Sequence, residues 1–165
     1  MTVVCNASPL ISLAKLGYLS LLRDLFGEIR ITPEVFDEVV TLGAGRPAAT
    51  VVQRAGWIRV EGCRDTARLQ RWRQRFSLGR GELATILLAQ ELPAQLAIID
   101  ERRARQLAIV AGVKVVGCVG ILELGHRKGL VSDLRSVYQQ MAGHGIRIDP
   151  QILNRSLASV NLPTL

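Results

Sequence analysis

The chain has 165 residues, 48% of them hydrophobic, and carries 21 Lys and Arg against 14 Asp and Glu for a formal charge of +7. That length suits one domain, residues 1–165, with a continuous core that needs no disulfide staples. No apolar run approaches the roughly 20 residues of a membrane helix, and MTVVCNASPL lacks a basic segment ahead of its short apolar stretch, so a soluble cytoplasmic protein with no membrane partner is expected.

Residues 2–6, TVVCN, read as a short buried strand, followed at once by helical spacing at Leu10, Ile11, Leu13, Ala14 and Leu16. Gly17 breaks that pattern; Leu19, Leu21, Leu22, Leu25 and Phe26 then form a second amphipathic helix that stops at Gly27. A second strand is expected over 28–31. Thr32-Pro33 is a helix start, a capping hydroxyl followed by a proline whose missing N–H costs nothing there, and the helix should run to about residue 41. Its buried stripe, Val35, Phe36, Val39 and Val40, leaves Glu34, Asp37 and Glu38 facing solvent or a cleft. Residues 47–55 read as helix, and 57–60 as a short edge strand.

In residues 65–76 Leu69, Trp72 and Phe76 form one stripe, and Arg68, Arg71 and Arg75 form a cationic stripe beside it. Residues 79–90, GRGELATILLAQ, are apolar almost all round after Glu82, the mark of a helix buried on most sides. LAIID, residues 96–100, has the continuous apolar character of a strand buried on both faces. A helix follows over 101–111, a fifth strand over 113–116, and helices over 120–128, 132–142 and 152–160, the last introduced by Asp149-Pro150. Strands alternating with helices predict an α/β fold: a three-layer α/β/α sandwich around a parallel sheet of about five strands.

In such sheets the functional cleft lies beyond the carboxyl ends of the strands, where the strand order reverses. Strand one ends in Asn6, with Ser8 two residues on; strand four ends in Asp100, followed by Glu101. No GxGxxG follows strand one, and GxxxxGK[ST], HExxH and GxSxG do not occur. The three cysteines, Cys5, Cys63 and Cys118, are widely spaced and read as reduced, packed thiols; His126 and His144 read as surface groups. Chemistry is then left to carboxylates and amides, hard oxygen ligands that suit Mg²⁺ or Mn²⁺.

Asn6-Ala-Ser-Pro-Leu-Ile, Pro33 with Glu38, Gly79-Arg-Gly-Glu82 and Ile99-Asp100-Glu-Arg-Arg together resemble the PIN domain. The set is similar to the branch of VapC-like proteins in which Asn replaces the opening acid and the third motif reads Gly-x-Gly-Glu. The resemblance implies a metal-dependent endoribonuclease of the toxin–antitoxin type. Asn6, Glu38, Glu82 and Asp100 would then be its catalytic and metal-holding residues, Mg²⁺ or Mn²⁺ its cofactor, and RNA and a small antitoxin protein its partners; a homodimer is left open. Ser8, Glu101 and Arg102 would support the site, and Arg68, Arg71, Arg75 and Arg80 would contact nucleic acid. Because Asn6 brings no charge, the alternative is a catalytically weak or silent module of the same fold that binds RNA or an antitoxin. A receiver-like domain would need two acids near the end of strand one and a Lys after the last strand, and has neither.

Overall fold

The computed structural model describes all 165 residues. Five parallel strands, β1 (Val3–Cys5), β2 (Ile29–Ile31), β3 (Ile58–Val60), β4 (Leu96–Ile98) and β5 (Val115–Val116), lie in the order β3-β2-β1-β4-β5. Order reverses between β1 and β4, which pair with Cys5 opposite Ile98. β3 is an edge strand, as its length predicts: Ile58 is buried, Arg59 and Val60 are exposed, and Arg59 reaches Glu28 at 2.9 Å.

Side-chain alternation along the strands builds two cores. Val3, Cys5, Ile29, Ile31 and Ile98 point to the face covered by α1 (Ala7–Lys15), α2 (Ser20–Phe26), α4 (Pro47–Arg54), α8 (Cys118–Arg127), α9 (Leu134–Met141) and α10 (Pro150–Ser159). Val4, Ala97 and Ile99 point the other way, onto α6 (Arg80–Glu91) and α7 (Arg102–Val110). α5 (Thr66–Arg75) packs outside α6 through Leu69. α6 is therefore walled in by sheet, α5 and α7, and every residue from Leu83 to Ala89 is buried, as its all-round apolar sequence implies.

Helix starts carry local causes. Thr32 caps α3 (Pro33–Phe36) by accepting from the Val35 N–H at 3.2 Å, and Asp65, Glu101, Asp133 and Asp149 cap α5, α7, α9 and α10 with their carboxylates. One expectation is modified. The helix after β2 does not run regularly to residue 41 but widens after Phe36 into a π turn, Asp37–Thr41, closed by Leu42 N–H donating to Asp37 C=O at 2.7 Å. Gly43 then folds back onto the Val39 carbonyl, an approach that a side chain at Gly43 would block.

α8 meets α2 through Gly125, where a Cβ would stand 2.8 Å and 2.9 Å from the two Leu21 methyls and 3.0 Å from Val131 Cγ2. Gly125→Ala should therefore destabilise the protein by about 1–3 kcal/mol through overpacking, despite alanine's better helix propensity. Urea unfolding checks this: the midpoint should fall with the slope unchanged.

Candidate metal and nucleic-acid site

Past the carboxyl ends of β1 and β4 the chain places one buried amide and two carboxylates of raised pKa. Asn6 stands at the N-cap of α1, where asparagine ordinarily accepts from the helix's first amides, yet its side chain makes no capping bond. It is 4% exposed, and Oδ1 has no hydrogen-bond partner within the protein. An unpartnered buried carbonyl of this kind costs about 1–3 kcal/mol. Its backbone N–H bonds Ile98 C=O at 2.9 Å, so the residue is locked to the β4 end.

Asp100 lies two residues beyond β4. Its Oδ1 accepts from the Cys118 N–H at 2.6 Å, at the first turn of α8. Gly117 makes this approach open, since a Cβ there would stand 2.8 Å from Asp100 Oδ1. Burial raises the Asp100 pKa, with the Cys118 amide and then the Arg105 charge partly offsetting it. Arg105 itself is fixed by donating to Ile99 C=O at 2.9 Å.

Glu82 sits in the first turn of α6, with Oε2 buried and unpartnered. Its pKa is raised by burial first, then by the charges of Glu101 and Glu38, while the Gly79 amide and Arg103 draw it down. Gly81 lies between the remaining pair: a Cβ there would stand 3.3 Å from Glu38 Oε2 and 3.6 Å from Asn6 Oδ1. Glu34, one turn before Glu38 and a rival on sequence grounds, is instead paired with Arg73 at 3.2 Å between α3 and α5. The two acids thus meet different neighbours.

Glu38, Asp100 and Ser8 share the wall of an open cleft of about 730 Å³. Asn6 and Glu82 lie outside that wall. No three acids, histidines or cysteines stand close enough to cage an ion among themselves. Glu101 is engaged in capping α7, accepting from the Ala104 N–H at 2.7 Å, and acts on Glu82 through charge. Arg102 is exposed, with no ion pair. On α5, Arg68 and Arg75 lie over the rings of Trp72 and Phe76 at 5.1 Å and 5.4 Å, Arg71 is exposed, and Arg80 is exposed at the start of α6. The three cysteines are free; Cys5 and Cys118 are buried, and burial pushes the Cys63 thiol up to about 12.

Sequence reasoning missed Arg105 and the Gly117-Cys118 amide, both in contact with the β4 end. Arg105 could have been found from its place one helical turn after Glu101; the amide could have been found from a glycine directly following the last strand.

Asn6 Oδ1 and Glu82 Oε2, both buried and without partners, are hard oxygen donors of the kind that suits Mg²⁺ or Mn²⁺. A doubly wound parallel sheet with this oxygen-rich group at its switch point defines a class of α/β proteins whose chemistry sits at the strand ends. The chain belongs to the PIN-domain family, a nuclease-type fold: the DUF3368 model, a PIN domain, matches residues 2–162. No curated protein matches the chain closely enough to add to this.

The raised pKa of Glu82 has a consequence for stability. A carboxylate whose pKa is higher folded than unfolded favours folding below its unfolded pKa and loses that contribution as pH rises through the folded value. In metal-free protein Glu82→Gln should therefore raise Tm at neutral pH. The difference from the natural chain should shrink as pH falls through the raised value towards the ordinary carboxylate range. Thermal melts in chelator across that range check the sign.

Proposed function

We propose that this PIN domain is a Mg²⁺- or Mn²⁺-dependent endoribonuclease of the toxin–antitoxin type, acting in the cytoplasm and cutting RNA phosphodiesters by hydrolysis. The observation that supports the reading is the pair of buried, unpartnered oxygens, Asn6 Oδ1 and Glu82 Oε2, with Glu38 Oε2 close to Asn6 Oδ1 across Gly81. Asn6, Glu38, Glu82 and Asp100 would hold the cation. When bound, it would supply an activated water and offset the charge that develops on the phosphate.

The chain's own groups have separable tasks. Asp100 is held in one orientation by the Cys118 amide and kept ionisable by Arg105 despite its burial. Glu82, whose pKa is held above the ordinary glutamate range in the metal-free protein by burial and the charges of Glu101 and Glu38, would hold the cation through its buried Oε2. Ser8, in the cleft wall beside Asp100 and Glu38, offers a hydroxyl to a phosphate oxygen. Glu101 and Arg102 act from α7, the first by its charge on Glu82. Arg68, Arg71, Arg75 and Arg80 form an outer basic face for the RNA backbone, away from the cleft wall. A small antitoxin protein as partner rests on the resemblance to VapC-like chains. No helix is long and apolar enough to cross a membrane.

A second reading is favoured by one observation: no three of the acids, histidines or cysteines gather closely enough to cage an ion. On that reading the chain is a catalytically weak or silent module that binds RNA or an antitoxin. Asn6→Asp separates the two. At an effective dielectric near 20, a new carboxylate about 4 Å from a divalent ion contributes several kcal/mol, so Mn²⁺ affinity should rise at least about tenfold and RNA cleavage with it. Asp100→Asn should abolish both. Mn²⁺ titration calorimetry and cleavage of a mixed RNA pool by the three proteins are the measurements. Unchanged affinity in Asn6→Asp, or fast cutting with tight metal binding in the natural chain, contradicts the role given to Asn6.

A further inference from the structure

The cleft of about 730 Å³ is bounded on one side by α1 and on the other by residues 145–149, the segment between the 3₁₀ turn Ala142–His144 and α10. Nothing in the sequence marked this segment as part of a site. It adds Ile146 and Ile148, with Ile152 of α10, to the cleft lining as an apolar set, and it brings Arg147 to the same cleft as Lys15 of α1. Both cations are exposed, and neither makes an ion pair or a side-chain hydrogen bond within the protein.

The anions of the cleft are placed differently. Asp149 is turned to the start of α10, where it accepts from the Gln151 N–H at 2.9 Å. Glu38 and Asp100 belong to the strand-end group, and Asp100 is already bonded to the Cys118 amide. The third cation, Arg105, is tied to Ile99 C=O and Asp100. Lys15 and Arg147 are thus the free positive groups of a cleft whose lining also holds Ile146, Ile148 and Ile152 and the acids Glu38 and Asp100.

We propose that this cleft holds the single-stranded RNA segment beside the bond to be cut, with Lys15 and Arg147 gripping successive phosphates and Ile146, Ile148 and Ile152 packing against a sugar or base. This rests on the ribonuclease reading above and names the residues that hold its substrate. The volume falls within the roughly 300–1,000 Å³ of small-ligand sites, room for a nucleotide or two and not for a duplex. Cation–phosphate contacts supply affinity without reading sequence, and the aliphatic wall has no aromatic ring to stack on, so the grip should be tolerant of base identity.

The test uses the whole chain in chelator, where cleavage cannot occur, and a fluorescent oligouridylate as probe. Lys15→Ala/Arg147→Ala should weaken binding roughly tenfold at low salt. It should also lower the slope of log affinity against log salt by about 1.4, two phosphates at roughly 0.7 each. Because both residues are exposed, the fold should persist. Arg68→Ala/Arg71→Ala/Arg75→Ala is the comparison and reports the outer basic face separately. Unchanged affinity and slope in the cleft variant, or no oligouridylate binding by the natural chain, overturns the proposal. Mn²⁺ calorimetry keeps the two readings apart. If the natural chain takes Mn²⁺ and the cleft variant binds RNA like it, the cleft proposal fails alone. If the natural chain takes no Mn²⁺ but loses RNA with the cleft variant, the nuclease reading fails alone.

Discussion

Everything at the strand ends depends on the pairing of β1 with β4. With Cys5 opposite Ile98 and the Asn6 N–H bonded to Ile98 C=O, Asn6 is drawn under the sheet edge and buried, while Asp100 emerges one residue past Ile99 at the same end. These strands are neighbours because the chain crosses over from the β3 edge back through α5 and α6 to the other side of β1. The reversal of direction leaves a gap between the helices that leave β1 and β4, and the site fills that gap. A one-residue slip in the β1 register would turn Asn6 outward and move Val3 and Cys5 into the wrong core.

The same constraint sets the electrostatics. α6 must be largely apolar because it is buried on most sides, so Glu82, the acid of its first turn, stands in a setting where the charged form is disfavoured and where Glu101 and Glu38 disfavour it further. Asp100 is also disfavoured by burial, but it has an amide and a guanidinium to compensate. On the proposed reading, Asn6 gives this cluster one negative charge fewer than an aspartate at the same position would, which would ease the empty site and weaken its hold on a cation. On that reading, stability without metal and affinity for metal would pull against each other at one residue.

Much of this was legible from the residues. The five strands, their parallel arrangement, the edge position of β3 and the burial of α6 followed from periodicity and from caps such as Thr32-Pro33, because those patterns report burial directly. Asn6 and Asp100 stood out as polar ends of apolar runs. What did not show was non-local. The π turn at Asp37–Thr41, the pairing of Glu34 with Arg73 and the approach of Glu38 to Gly81 arise from close backbone approach and from contacts between separate elements, which periodicity does not report. Arg105 and the Cys118 amide reach Asp100 only once β5 and α7 are in place, and residues 145–149 join the cleft only because α9 and α10 pack back onto α8.

The central claim is that Asn6 Oδ1 and Glu82 Oε2 lack partners because a cation belongs between them and the neighbouring carboxylates. Anomalous diffraction from crystals grown with Mn²⁺ measures this directly. The account predicts one manganese peak at bonding distance from Asn6 Oδ1 and from oxygens of Glu82, Glu38 or Asp100. A fully occupied crystal with no peak there, and with Asn6 Oδ1 hydrogen-bonded to an ordered water instead, would contradict it.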